Sequence, residues 1–348
     1  GLDVNGLENL VQVVEFLSSP EKIKPDHYSL AELLTRPVYE LDFRDVKGQH
    51  HVKRALEVAA AGSHNVLLVG PPGAGKTMLA RRIPSILPDM SFEEVIEVTQ
   101  IYSAAGLLKD QGAVAKRPFR SPHHTVTDAG LIGGGVIPKP GEVSLAHHGV
   151  LFLDELPEFR RKVLEDLRQP VEDGRVVVSR VFMSVTYPSS FMFVAAMNPC
   201  EDAMKGLAGQ DVECTEAQRI KYYSRISAPL LDRIDIQVEV PSVKFRDIVS
   251  KAEGESSEEI RSRVVRARER QLERFSGRRI YANAQMGPKE VKQFCQIGGE
   301  GERLLEAAVN RLGFSARAYD RSLKVARTIA DLAGEADIVP AHLAEAIQ

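Results

Sequence analysis

Residues 70–77 read Gly-Pro-Pro-Gly-Ala-Gly-Lys-Thr and directly follow the apolar run Val66-Leu67-Leu68-Val69. This is the G-x-x-x-x-G-K-[ST] pattern, set between a predicted strand and a predicted helix over Thr77–Ile83, the context that gives the pattern meaning. Glycine at 70, 73 and 75 lets the backbone take up conformations that a Cβ would obstruct, so that loop N–H groups can turn inward around a polyphosphate. The helix N-terminus beyond the loop adds partial positive charge at the same place. The expected nucleotide contacts are Gly70, Pro71, Pro72, Gly73, Ala74, Gly75, Lys76, Thr77 and Met78. Lys76 would reach the β- and γ-phosphates, and the Thr77 hydroxyl would ligate Mg²⁺. The segment predicts binding of a nucleoside triphosphate, with ATP and Mg²⁺ as cofactors.

A second element would turn binding into hydrolysis. Val150-Leu151-Phe152-Leu153-Asp154-Glu155 is a continuous apolar run ending in two carboxylates. Such a run suits a strand buried on both faces of a parallel sheet. Ligands collect at the carboxyl ends of these strands, so both acids would face the phosphates. Asp154 suits the Mg²⁺ shell, and Glu155 could polarise the attacking water. A third apolar run, Phe191–Met197, ends in Asn198, whose amide can position that water or touch the γ-phosphate. Together the three strand ends predict an ATPase.

Composition sets outer limits. The chain has 348 residues, 43% hydrophobic and 27% charged, enough for a large core and two domains. A net charge of −3 excludes a globally basic nucleic-acid binder, so any such contact must be a local patch. No apolar stretch approaches the roughly 18 residues of a membrane span. The first residues lack a signal peptide's charged and apolar regions. Three cysteines (Cys200, Cys214, Cys295) make no disulfide framework for this size. A soluble, reducing, cytoplasmic setting without membrane contact is expected.

Several elements must position these groups. Asn5 is expected to cap a short amphipathic helix bearing Leu7, Leu10, Val11, Val14 and Leu17, ended by Ser18-Ser19-Pro20. Residues 20–45 read as an extended connector punctuated by Pro20, Pro25 and Pro37. From Phe43 to about Pro241 helical and strand patterns alternate, predicting an α/β core around a parallel sheet. From about Val243 the pattern is helical. Ser256 and Glu259 offer a capping box for a helix bearing Ile260, Val264, Leu272 and Phe275.

With these motifs in place, the chain resembles the AAA+ ATPases, in the branch that holds magnesium-chelatase motor subunits and minichromosome-maintenance helicases. The match is closest to the magnesium-chelatase-like ComM/YifB family. The residues carrying it are Asp45-Val46-Lys47-Gly48-Gln49, the segment 70–77, Phe119-Arg120-Ser121-Pro122-His123-His124-Thr125 and Pro140–Gly149. Leu230-Leu231-Asp232-Arg233-Ile234-Asp235, Ser315-Ala316-Arg317 and Val325–Ala330 add to them. The resemblance covers roughly residues 40–348. It implies a P-loop core over 41–241 and a small all-helical lid over 242–348. Full-length relatives carry a Lon-protease-like N-terminal domain, and 1–40 would be the helix and linker at its end.

The resemblance also implies roles. Family members work as homo-hexameric rings with ATP at subunit interfaces. Arg233 then matches the arginine finger that reaches a neighbour's γ-phosphate, a role suited to an always-charged planar donor fork. A salt bridge with Asp232 or Asp235 is the alternative, and Arg225 is a competitor for the contact across subunits. Arg317 fits the sensor-2 arginine of the lid, with Arg321, one turn on, as runner-up; in this branch sensor 2 can also act on the neighbour.

Two insertions mark the branch. One spans about Lys116–Pro140, with Gly133-Gly134-Gly135. The other is a predicted hairpin running out through Arg175–Val178, turning at Ser179–Met183 and returning through Val185–Tyr187. In relatives such elements line the central pore and touch DNA, so Arg175, Arg180 and Phe182 are candidate DNA contacts, Arg180 for phosphate and Phe182 for stacking. The alternative is an ordinary solvent-facing hairpin with one buried aromatic. The pairs His50-His51, His123-His124 and His147-His148 lack helical ligand spacing, and neighbours on a strand would point to opposite faces, so no metal is expected there. Many relatives carry a four-cysteine cluster after the sensor-1 Asn-Pro, suited to zinc. Here only Cys200 and Cys214 remain, with Asp202 and Asp211 as candidate oxygen ligands, and a metal-free loop is expected.

The resulting expectation is the Mg²⁺-dependent ATPase motor of a ComM-like DNA helicase that promotes branch migration in recombination and natural transformation. The alternatives are a magnesium-chelatase-type motor and a protein-remodelling ATPase, each acting on a protein partner.

Overall fold

The structure is a computed structural model and describes residues 5–7, 9–22, 38–108, 112–180, 183–202, 214–243 and 254–348. The strands are β1 (Val66–Val69), β2 (Phe119–Arg120), β3 (Gly133–Gly134), β4 (Lys139–Pro140), β5 (Val150–Leu153), β6 (Arg175–Ser179), β7 (Ser184–Pro188), β8 (Met192–Met197) and β9 (Ile236–Glu239). Five of them form one sheet in the order β2-β5-β8-β1-β9, with every pairing parallel. All of β5 and β8 is buried, which is why both read as unbroken apolar runs. Alternate side chains serve two cores. Val66, Leu68, Val150, Phe152, Val194 and Ala196 join one, and Leu67, Leu151, Leu153, Phe193 and Ala195 the other. The chain thus has the AAA+ α/β core with a helical region following it.

The helices used below are α1 (Leu10–Ser18), α2 (His50–Gly62), α3 (Lys76–Ile86), α4 (Phe92–Ala104), α5 (Asp128–Ile132), α6 (Glu142–Leu145), α7 (Arg161–Asp166), α8 (Arg168–Asp173), α9 (Glu216–Tyr223) and α10 (Ala228–Leu231). The C-terminal region holds α11 (Ser257–Arg274), α12 (Pro288–Phe294), α13 (Gly299–Leu312), α14 (Ala316–Ala333) and α15 (Pro340–Ile347). Its own core gathers Phe275, Val291, Leu305, Leu323, Ala326 and Leu343. It seats on the sheet domain through polar contacts as well. Arg268 donates to Ala60 O and Ala61 O at 2.9 and 3.0 Å, and His64 Nε2 lies 2.8 Å from Thr328 Oγ1.

Some local expectations need correction. The cap of α1 is Asn9, whose side chain accepts from Gln12 N, not Asn5; only Asn9 stands next to the first helical residue. The Ser256–Glu259 capping box is present, but Leu272 is 46% exposed, because α11 turns Ala267 and Gln271 inward instead. The hairpin forms as β6 and β7, paired antiparallel from Arg175–Pro188 to Ser179–Ser184.

Candidate nucleotide site and interface face

The loop at 70–77 is shaped by its glycines. Gly73 and Gly75 have φ of 77° and 92°, the left-handed region in which a side chain is strained. Gly70 serves differently, since a Cβ there would stand 2.1 Å from Val240 O, where the segment after β9 crosses the loop. Helix α3 begins at Lys76 with Gly75 as its cap. Ala74 is buried, and Met78 packs against the core below the loop while Pro72 is exposed.

Three strand ends meet on this loop. Lys76 Nζ donates to Asn198 Oδ1 at 2.9 Å, to Gly70 O at 2.6 Å and to Pro71 O at 2.9 Å. Burial lowers the pKa of this ammonium, opposed by the nearby Asp154, Asp202 and Glu155. Thr77 Oγ1 donates to Asp154 Oδ2 at 2.5 Å. A hydroxyl and a carboxylate converging in this way form a hard oxygen pair of the kind Mg²⁺ takes alongside phosphate oxygens, so the residues present fit the cation. Glu155 is exposed, with φ 53°, and its Oε2 lies 3.6 Å from His124 Nδ1. His124 belongs to a segment noted in the sequence without a role. Tyr222 donates from its hydroxyl to Asn198 O at 2.9 Å, and burial pushes that phenol up to about 12.

The remaining arginines separate by position. Arg225 pairs with Glu158 at 2.8 Å, just beyond Glu155, and so sits at the nucleotide end of the sheet. Arg233 is at the opposite end. Its carbonyl accepts from Asn65 Nδ2 at 2.8 Å, and Asn65 precedes β1, whereas the loop at 70–77 follows β1. The strand between them spans four residues, roughly 13 Å at about 3.3 Å per residue. The guanidinium of Arg233 donates to Pro229 O at 2.5 Å and to Glu172, not to Asp232 or Asp235. The Arg233 hydrogen bond holds the Glu172 carboxyl below its ordinary value, with help from the nearby Arg233 and Arg317 charges. Arg317 is exposed and lines the same cleft, of about 690 Å³, as Arg233 and Glu172. The structure therefore groups Arg317 with Arg233, not with Lys76. Glu172 went unnoticed in the sequence, where nothing marks it out from other surface acids.

The two insertions touch. Arg180 donates to Gly135 O at 3.3 Å and to its neighbour Ser179 O at 2.8 Å, and Tyr187 donates to Pro138 O at 2.8 Å. Arg175 and Arg180 are exposed, as are Val136 and Ile137 at the turn of the β3–β4 hairpin. Phe182 lies outside the described residues.

The histidines and cysteines depart from expectation. His123-His124 and His147-His148 lie in turns, not strands, and the rings of each pair pack together at a tilt, with centroids 4.0 and 3.8 Å apart. A φ of 55° at His148 turns its ring onto that of His147. Both rings reach Glu97 Oε2, at 3.1 Å from His147 Nε2 and 2.7 Å from His148 Nε2. Although these three residues bring ligand atoms within 4.8 Å, His147 Nδ1 already accepts from Ser190 N at 3.0 Å. The neutral ring therefore carries its proton on Nε2 and donates it to Glu97, leaving no lone pair there for a metal. Where no disulfide framework was expected, Cys200 and Cys214 form a disulfide, with Cα atoms 6.3 Å apart. It joins the residues just after Asn198 to the start of α9, a closeness that a separation of 14 positions does not reveal. Asp211 lies outside the described residues.

Comparison with known proteins bears on this arrangement. Residues 42–248 match the family model described as magnesium chelatase, subunit ChlI, and 254–348 match the ChlI C-terminal model. Competence protein ComM of Haemophilus influenzae is 44% identical over 351 residues, covering 98% of this chain and 66% of that protein. The uncharacterized protein YifB of Escherichia coli is 47% identical over 308 residues, covering 88% of this chain and 60% of that protein. The magnesium-chelatase 38 kDa subunit of Rhodobacter capsulatus is 24% identical over 260 residues, covering 68% and 70%. The chain thus spans 60% to 66% of the length of the ComM and YifB proteins it matches.

Proposed function

The chain belongs to the magnesium-chelatase-like ComM/YifB family, and from that premise we propose that it is the ATPase motor of a ComM-like DNA helicase, working as a homo-hexamer. The observation that carries the reading is the division of the sheet into two ends. Lys76, Thr77, Asp154, Glu155 and Asn198 gather at one end, and Arg233 with Arg317 at the other. A chain whose phosphate loop and finger stand a strand's length apart completes its site with a second copy.

In this reading Lys76 and the loop N–H groups bind the phosphates of ATP. Thr77 and Asp154 would hold Mg²⁺, which would supply positive charge to the phosphates. Glu155 takes the proton of the attacking water, and Asn198 orients that water. Arg233 of the adjoining copy stabilises charge developing on the transferred group. The joined hairpins carrying Arg175, Arg180 and Phe182 grip DNA in the pore, and turnover drives them along it, promoting branch migration in recombination and natural transformation. The core and lid divide near 241, and the protein works in the cytoplasm. No described helix is long and apolar enough to cross a membrane.

The test is the ATPase rate of the assembled protein alone and with single-stranded, duplex and four-way-junction DNA. Stimulation by DNA is the expected result. A hexamer with neither DNA affinity nor DNA-stimulated hydrolysis overturns the helicase reading and favours a chelatase-type or other protein-directed motor.

A further inference from the structure

We infer that Arg321 is a positioning residue that joins the lid helix α14 to the loop carrying Arg233, and so acts on the neighbouring copy's ATP rather than on its own. The inference rests on the reading of Arg233 as the finger. Arg321 Nη1 donates to Ile234 O at 2.6 Å and to Leu231 O at 3.2 Å. These carbonyls stand on either side of Arg233: Leu231 is the last residue of the short helix α10, and Ile234 lies just beyond its end. Helix-end carbonyls lack partners within the helix, and a cation is favoured there. Arg321 is half-buried and directs its charge at the main chain on both sides of Arg233.

The loop is thereby held from two sides. Asn65 fixes the Arg233 carbonyl from the sheet, donating through Nδ2 while its Oδ1 accepts from Phe193 N at 2.9 Å. Arg321 fixes the flanking carbonyls from the lid. Helix α14 is tied down beyond Arg321 as well. Thr328, two turns along α14, meets His64 Nε2 at 2.8 Å and Asn283 Nδ2 at 3.0 Å, and Asn283 Nδ2 also donates to Asp331 at 2.8 Å. One turn before Arg321, the exposed Arg317 shares the cleft of Arg233 and Glu172. Any displacement of α14 against the sheet therefore shifts the backbone of the finger and the guanidinium beside it together. Both arginines line the cleft, and of the two Arg321 is the one that holds the carbonyls beside Arg233.

A double-mutant cycle on the assembled protein tests this. ATPase kinetics would be measured for wild type, Arg321→Ala, Arg233→Ala and the double variant, with Arg321→Lys in parallel. Arg321→Ala is expected to lower kcat on the order of 10- to 100-fold, the scale of an ångström-level misplacement, with KM unchanged. Arg321→Lys, which keeps a charged donor, is expected to recover part of the loss. On the Arg233→Ala background, Arg321→Ala is expected to change nothing further, because its effect passes through Arg233. A full additional loss in the double variant, or a rise in KM in place of the fall in kcat, overturns the inference and leaves the finger assignment standing. Turnover unchanged in Arg233→Ala alone overturns both. Should Arg321→Ala fail to assemble, Arg321→Lys carries the same cycle, judged by the same criteria.

Discussion

Lys76 Nζ lies 2.9 Å from Asn198 Oδ1, so the cation that opens α3 is bonded to the amide at the end of β8, the parallel neighbour of β1. The register of those strands prepares the contact: Val69 pairs with Met197, Asn198 follows β8 directly, and the loop at 70–75 returns Lys76 to the same spot. Asp154, at the end of β5 on the far side of β8, completes the row through Thr77. Parallel pairing thus turns three distant sequence segments into one polar edge.

Lys76→Ala should abolish ATP binding, because it removes the ammonium at the end of the loop, whereas Glu155→Gln should keep binding and block turnover. Equilibrium titration with a fluorescent ATP analogue separates the two. Equal affinity in wild type and Lys76→Ala would show that the nucleotide sits elsewhere.

Much of this edge was legible in the sequence because its signals are local. The phosphate loop is an eight-residue word beside its own strand and helix, and Asp154 and Asn198 each cap a fully buried apolar run. What escaped depends on how the chain returns to itself. Glu172 meets Arg233 across 61 positions, and no spacing rule links them. The packing of His147 against His148 follows from one positive φ, which contradicts the alternation assumed for a strand. Whether Arg317 belongs with the nucleotide or with Arg233 depends on which end of the sheet α14 reaches, a question of topology and not of motif.

DNA binding should weaken steeply with salt, since each phosphate neutralised by an arginine releases condensed counterions. Arg180→Ala should reduce the slope of log affinity against log salt by about one for each contact it makes. Phe182→Ala should spare the slope and reduce unwinding, because stacking carries no charge. Isotherms at four or five salt concentrations, paired with junction unwinding, decide this. An unchanged slope in Arg180→Ala removes that residue from the DNA surface.

Stability should carry a signature of His147. Burial, then the adjacent His148, pushes its imidazole down to about 4, against an ordinary value near 6.5. The native ring stays neutral where the unfolded one gains a proton. Its contribution is therefore complete above pH 6.5 and is lost as the pH falls through about 4, amounting to at most about 3 kcal/mol. His147→Asn keeps an acceptor for Ser190 N and does not titrate. Urea unfolding of both proteins between pH 7 and 4 should show the wild type losing stability relative to the variant. Parallel curves would mean that His147 is protonated in the native protein.

Catalysis across a subunit boundary is tested most directly by mixing two inactive proteins. Arg233→Ala should bind ATP yet lose about 10³-fold or more in turnover, the scale of an arginine finger. Lys76→Ala cannot bind ATP but still presents Arg233 to its neighbour. Under conditions where assemblies exchange subunits, the mixture should regain ATPase activity at those interfaces where an Arg233→Ala nucleotide site meets a Lys76→Ala finger. A mixture that exchanges subunits and stays as inactive as its components would contradict a finger supplied by the neighbouring copy.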